Sequence, residues 1–135
     1  MVTYILDSSA ILRFTDNEAG ADRVQQILDK YLDGTAHVAA SALHWGETAG
    51  RLYKLRGRDV MERVLQRLAG MGIEVIEVTA DQAIAAALIR ANHKIPYVDA
   101  FGAALVSAPH HVFVTADFDL KPAAKFADIE FLPAK

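Results

Sequence analysis

The sequence predicts an α/β fold in which helices cover both faces of a central, mostly parallel β-sheet. Short runs of β-branched and aliphatic residues alternate with longer segments that carry apolar residues three and four positions apart. The first run, at residues 2–6, has no regular polar alternation, which is typical of a strand buried on both faces. Neither a linker nor an internal repeat interrupts the pattern. We therefore expect one three-layer domain spanning residues 1–135.

The first half of the chain contains two predicted strands and three predicted helices. The first helix places its apolar residues on one face and ends at Gly34. Ser41 is a favourable N-cap for the second helix, and Gly57 separates the second from the third. In order, we predict a strand at 2–6, a helical turn at 11–14, a helix at 19–33, a strand at 37–40 and helices at 42–55 and 59–69.

The second half of the chain alternates in the same way. Gly70 and Gly72 end the preceding helix, and Pro96 changes the chain direction between two further helices. The helix after Pro96 is compact and apolar, and Asp99 is its only charged residue. In order, we predict a strand at 73–78, helices at 79–92 and 97–106, a strand at 111–115, a helical turn at 120–126 and a strand at 129–132.

The composition excludes several classes of protein. The chain contains no cysteine, which excludes thiolate catalysis, zinc–thiolate sites and disulfides. It shows no secretion signal and no apolar run near 18 residues long, so we expect a soluble cytoplasmic protein that does not span a membrane.

The charge is unevenly distributed. The net charge of -3 is not typical of a dedicated nucleic-acid-binding protein, yet residues 51–67 form a basic segment. This segment is either a solvated helix face or a surface that binds RNA phosphates. If the segment binds RNA, the cations that we expect to contact the phosphates are Arg51, Lys54, Arg56 and Arg58.

Two predicted strands end at a carboxylate. Asp7 follows the first strand, and Asp117 follows the fourth. Asp7 alone is readily explained as a helix N-cap. However, ligand sites in parallel sheets form beyond the carboxyl ends of strands, where the strand order reverses. If the two strands are neighbours, both acids lie in one crevice, and nearby helices can add Glu47 and Asp99.

Clustered acids of this kind indicate a metal site. Neighbouring carboxylates repel each other, and a divalent cation is their natural counter-charge. Oxygen ligands, without cysteine or a suitably spaced histidine pair, favour Mg²⁺ or Mn²⁺ over Zn²⁺. One or two such ions can activate water and neutralise charge on a scissile phosphate, so the pattern predicts phosphodiester hydrolysis. A phosphatase-like reaction is less favoured, because residues 7–9 lack a second acid two positions after Asp7.

Four segments of the chain resemble, in order, the acidic motifs of the PIN-domain nucleases. They are residues 5–10, the region around Glu47, residues 97–104 and residues 114–117. The single-domain length further resembles that of VapC toxins from type II toxin–antitoxin modules. The sequence departs from the family at residues 44–46, where the family commonly has more aliphatic residues before the acid.

This resemblance implies a metal-dependent endoribonuclease that uses Mg²⁺ or Mn²⁺. The acids that it assigns to metal binding and catalysis are Asp7, Glu47, Asp99 and Asp117. Ser8 and Thr115 match hydroxyl positions that support the site in the family. An RNA substrate, a cognate antitoxin and a homodimer are also implied.

Each acid also has a structural alternative. Asp99 can stabilise the first turn of its helix, and Glu47 can pair with Arg51 four residues on. Asp119 is either an additional metal ligand or a cap of the following turn. If these alternatives hold, the chain is a non-catalytic RNA- or protein-binding module of the same fold.

Overall fold

The computed structural model describes residues 1–135 and has a five-stranded, entirely parallel sheet at its centre. The strands are β1 (Val2–Leu6), β2 (Ala36–Ser41), β3 (Ile73–Ile76), β4 (His111–Thr115) and β5 (Ile129–Phe131). The helices are α1 (Ser8–Thr15), α2 (Ala21–Leu32), α3 (Ala42–Arg56), α4 (Arg58–Gly70), α5 (Ala80–Asn92) and α6 (Tyr97–Leu105), and a 3₁₀ segment (Phe118–Lys125) precedes β5. The predicted α/β fold with a central parallel sheet is confirmed. No helix has both the length and the apolar character that crossing a bilayer requires.

The strand order reverses next to β1. The sheet runs β3-β2-β1-β4-β5, so the chain first extends to one side of β1 and then returns to its other side with β4. Leu6 is in register with Val114, and the Asp7 amide donates to the Val114 carbonyl at 2.9 Å. The carboxyl ends of β1 and β4 therefore lie side by side, at the position where such sheets form ligand sites.

The sheet separates two apolar layers. Ile5 and Phe113 face one layer, together with Phe101 of α6, whereas Leu6 and Val114 face the opposite layer. Successive side chains of a strand point to opposite faces, so both faces of β1 and β4 are buried. This arrangement explains why the sequence of β1 lacks polar alternation.

Some element boundaries differ from the predicted ones. Helix α2 begins at Ala21 rather than at residue 19, because Gly20 has a left-handed conformation with φ of +93°. Strand β3 ends at Ile76, two residues earlier than predicted. The predicted turn near 120–126 is the 3₁₀ segment 118–125. It contains Pro122, which lacks the amide hydrogen that a continuing α-helix would use.

Candidate functional site

The candidate site lies beyond the carboxyl ends of β1 and β4. Asp7 connects β1 to α1, and Asp117 follows β4 by two residues. Glu47 belongs to α3, and Asp99 lies in the first turn of α6. The charges of Asp7, Asp117 and Glu47 all act on Asp99, so the four acids predicted from the sequence share one crevice.

Asp7 is the innermost of these acids. Its exposed fraction is 3%, and protein donors hold both of its carboxylate oxygens. Oδ1 accepts a hydrogen bond from the Ser8 amide at 2.8 Å, and Oδ2 accepts from Ser9 Oγ at 2.8 Å and from Thr115 Oγ1 at 2.6 Å. Asp7 is therefore the N-cap of α1 and also a fixed carboxylate in the crevice. The two explanations of this residue are compatible.

Two hydroxyl groups join the ends of β1 and β4 around Asp7. Thr115 Oγ1 accepts from the Asp117 amide at 2.9 Å while it donates to Asp7. Ser9 Oγ accepts from the Ala116 amide at 2.9 Å while it donates to Asp7. These contacts set the position of the chain that carries Asp117 relative to Asp7.

Ser9 is a supporting residue that the sequence analysis did not single out. The predicted supporting residue, Ser8, has longer side-chain contacts, at 3.3 Å to Glu47 Oε1 and 3.5 Å to Asp7 Oδ1. Thr115, the other predicted residue, makes the short contact to Asp7 described above. The available signal for Ser9 was a hydroxyl two residues after an N-cap acid, but its contact with Ala116 depends on the strand order.

Asp99 is in the least favourable electrostatic environment of the four acids. Burial raises its pKa to about 8, and repulsion by Asp117 and Asp7 adds to this effect. A hydrogen bond with Asp117 and the charge of Glu47 act in the same direction. At neutral pH the carboxyl group of Asp99 therefore holds a proton when no cation is bound.

Glu47 lies at the exposed rim of the crevice and forms no ion pair with Arg51. Desolvation by the surrounding protein raises the pKa of Glu47, and the charges of Asp7 and Asp117 raise it further. The nearby His44 ring and the hydrogen bond from Ser8 act in the opposite direction. Apart from desolvation, the groups that act on Glu47 are therefore other residues of the crevice.

Asp119 is placed differently from the four acids. Its side chain is exposed, and its backbone amide donates to Asp117 Oδ1 at 3.0 Å. Asp117 consequently caps the 3₁₀ segment that contains Asp119. The charges that act on Asp99 and Glu47 do not include that of Asp119. This geometry favours the structural alternative for Asp119.

His44 is a second residue that the sequence analysis did not assign to the site. It lies on α3 one turn before Glu47, and its side chain is fully buried. Its Nε2 is 3.6 Å from Asp7 Oδ1, and its ring packs against Phe113 with a centroid distance of 5.5 Å. Asp7, His44 and Glu47 each offer one ligand atom, and these atoms lie within 4.8 Å of one another.

The basic segment on α3 and α4 divides into paired and unpaired cations. Arg56 pairs with Asp16 at 3.1 Å, and Arg58 pairs with Glu62 at 3.7 Å. Arg51 and Lys54 are exposed and form no ion pair. Arg51 lines a second crevice, of about 360 Å³, whose lining also includes Ser9, Ala116, Asp16 and Glu18.

The donor set suits a divalent cation. Carboxylate oxygens are the preferred ligands of Mg²⁺ and Mn²⁺. The four acids around Asp99 bring such oxygens together in one crevice. Burial raises the pKa of Asp99 and of Glu47, mutual repulsion among the acids adds to it, and a bound cation would relieve that repulsion. The residues therefore fit the metal that the sequence predicts.

Sequence comparison matches the chain to one protein family. The family model described as the PIN domain matches residues 4–126. Among curated protein sequences, none matches the chain.

Solved structures show the same fold. VapBC2 from Rickettsia felis, bound to a DNA fragment from its promoter, has a TM-score of 0.77 and 15% identity over 98% of this chain and 100% of that chain. VapC20 from Mycobacterium tuberculosis, a toxin that cleaves the sarcin–ricin loop, has a TM-score of 0.70 and 20% identity over 96% of this chain and 99% of that chain. A toxin–antitoxin complex from Klebsiella pneumoniae has a TM-score of 0.69 and 18% identity over 94% of this chain and 95% of that chain.

Proposed function

This chain belongs to the PIN-domain family, and from that premise we propose that it is a metal-dependent endoribonuclease that hydrolyses RNA phosphodiester bonds. The observation that carries the proposal is the convergence of four acids at the switch point of the sheet. No lysine or arginine forms an ion pair with any of them, although a purely structural cluster of acids would require such partners. These acids are Asp7, Glu47, Asp99 and Asp117.

The proposed cofactor is Mg²⁺ or Mn²⁺. When bound, the ion supplies activation of water and neutralisation of charge on the scissile phosphate. Asp7 is the fixed ligand, since Ser9 and Thr115 hold its carboxylate before any ion arrives. Burial and the neighbouring carboxylates raise the pKa of Asp99, so Asp99 would give up its proton on binding an ion that favours its charged form. Glu47 and Asp117 provide the remaining carboxylate ligands of the ion, at the rim of the crevice.

We further propose that the unpaired cations of α3 hold the RNA backbone. Arg51 is the first candidate, because Ser9 and Ala116 line the same crevice as Arg51. Lys54 lies on the same helix without an acidic partner. Arg56 and Arg58 contribute less in this proposal, since each already pairs with a carboxylate.

The biological role proposed is that of a cytoplasmic toxin in a type II toxin–antitoxin module. The support is the fold shared with VapBC proteins over nearly the whole chain. A cognate antitoxin and a homodimer belong to this proposal. Growth arrest on expression of the chain alone, relieved by co-expression of a neighbouring small open reading frame, tests the antitoxin. Light scattering of the purified protein tests the dimer.

Cleavage assays test the nuclease proposal. The parent protein should cut RNA from a pool of tRNA and rRNA in Mg²⁺ or Mn²⁺, and chelation should stop the reaction. Asp7→Asn and Asp99→Asn should each lower the cleavage rate by about 100-fold or more, because each removes a charge from the metal site. Asp119→Asn is the matched control, since Asp119 is exposed and separate from the cluster.

Two results would contradict the nuclease proposal. The first is equal cleavage by the parent and by both site variants, which would indicate a contaminating enzyme or a different active site. The second is RNA binding by the parent without cleavage in either metal, which would favour a non-catalytic binding module. Circular dichroism of each variant checks that the fold is intact.

A further inference from the structure

His44 has an unusual environment for a buried polar side chain. Its exposed fraction is 0%, and neither of its ring nitrogens has a hydrogen-bond partner. An unsatisfied buried polar group destabilises the folded state, and folded proteins rarely keep one without a reason. The imidazole ring therefore requires a partner that the protein chain does not supply.

Asp7 is a polar neighbour of the His44 ring, but it does not satisfy His44. The distance from His44 Nε2 to Asp7 Oδ1 is 3.6 Å, which is longer than a hydrogen bond. The Asp7 carboxylate already accepts from Ser8, Ser9 and Thr115. An ion pair alone would bury an imidazolium without any hydrogen bond, which is an unfavourable way to desolvate a charge.

The same separation suits two ligands of one metal ion. Donor atoms bound at about 2.1 Å to one ion lie about 3–4 Å apart, so 3.6 Å fits without rearrangement of Asp7 or His44. Glu47 lies one turn after His44 on the same face of α3. Its carboxylate offers the third ligand atom of this group, within 4.8 Å of the other two.

We propose that His44 Nε2 is a ligand of the metal ion in this site, together with Asp7 and Glu47. This inference rests on the proposed metal-dependent function and extends it to metal selectivity. Imidazole nitrogen binds Mn²⁺ readily, whereas Mg²⁺ strongly prefers oxygen. His44 therefore shifts the site towards Mn²⁺, beyond the preference of an all-carboxylate site.

Pulsed electron paramagnetic resonance of the Mn²⁺-loaded full-length protein tests this assignment directly. A nitrogen ligand produces a ¹⁴N coupling in the electron spin echo envelope of Mn²⁺. We expect that coupling in the parent protein and expect its loss in His44→Leu. The matched control is His93→Leu, because His93 is exposed and stacks on Phe126 away from the acids.

Calorimetric titration provides the second measurement. His44→Leu should weaken Mn²⁺ binding by about 10-fold or more and change Mg²⁺ binding by less than about threefold. His93→Leu should leave both affinities unchanged. If His44→Leu does not fold, the ¹⁴N coupling in the parent protein still tests the assignment.

The outcomes separate this inference from the proposed function. Mn²⁺ binding without any ¹⁴N coupling in the parent overturns the histidine ligand and leaves the acidic metal site standing. A coupling that persists in His44→Leu also overturns it, since the nitrogen then belongs to another residue. If neither Mn²⁺ nor Mg²⁺ binds the parent, both the inference and the proposed metal dependence are wrong.

Discussion

At the scale of single residues, protonation of Asp99 makes the stability of the metal-free protein depend on pH. Its pKa of about 8 in the folded protein is far above the usual value of 3.8. Below pH 3.8 the group is protonated in both the folded and the unfolded chain. Between pH 3.8 and 8, the unfolded chain releases this proton while the folded chain keeps it. The metal-free folded state therefore loses stability as the pH rises through this window.

Replacement of Asp99 should remove this cost. We expect Asp99→Asn to raise the free energy of unfolding of the metal-free protein at pH 7.5 by on the order of 1 kcal/mol, a value discounted for partial solvent exposure. The gain should be much smaller at pH 4.5. Urea denaturation at the two pH values measures it, with Asp119→Asn as the control. Equal gains at both pH values would show that packing, rather than ionisation, causes the effect.

At the scale of elements, the position of α6 depends on its contact with β4. Gly102 of α6 faces Phe113, and a Cβ atom at Gly102 would overlap the Phe113 ring. The Phe113 ring is fully buried and also packs against the His44 ring. A side chain at Gly102 must therefore move the helix, and with it Asp99.

Gly102→Ala tests this coupling between helix packing and the site. We expect a loss of about 1–3 kcal/mol in the free energy of unfolding, together with weaker metal binding, because α6 shifts away from the sheet.

Gly50→Ala is the matched control. Gly50 is helical, and a Cβ atom there meets nothing within 4 Å. That substitution should be neutral or stabilise the protein by up to about 1 kcal/mol. Urea denaturation and metal titration of both variants provide the comparison, and unchanged metal affinity in Gly102→Ala would contradict the proposed coupling.

The elements also show how far the sequence alone could predict the site. Apolar runs that end at Asp7 and Asp117 are local signals, and they predicted two strands ending in acids. The adjacency of those strands is not local, so the contact of Ser9 with Ala116 could not be derived. His44 shares the buried side of α3 with Thr48 and Leu52, and no local sequence signal distinguishes it as a site residue. Its approach to Asp7 depends on how α3 packs against α1, the helix that Asp7 caps.

At the scale of the whole molecule, the charge distribution has to accommodate an anionic substrate. The chain has a net charge of -3, and its proposed active site is a cluster of acids. RNA binding therefore requires cations close to the site, in addition to the metal. Arg51 meets this requirement, because it has no acidic partner and its crevice adjoins Ser9.

Arg51→Gln should weaken RNA binding and reduce its salt dependence. Each phosphate contact that is lost lowers the slope of log K against log salt by about 1, so the effect should be largest at low ionic strength.

The matched control is Arg67→Gln, because Arg67 lies in a different crevice, beside Phe14 and Met71. We expect Asp7→Asn to abolish cleavage, so binding of a labelled RNA to protein that carries this substitution, over about 50–200 mM KCl, measures both slopes. Equal slopes for Arg51→Gln and the Asp7→Asn background would mean that the RNA backbone follows another path across the molecule. An equal reduction by both arginine variants would indicate long-range attraction by net charge rather than a contact at Arg51.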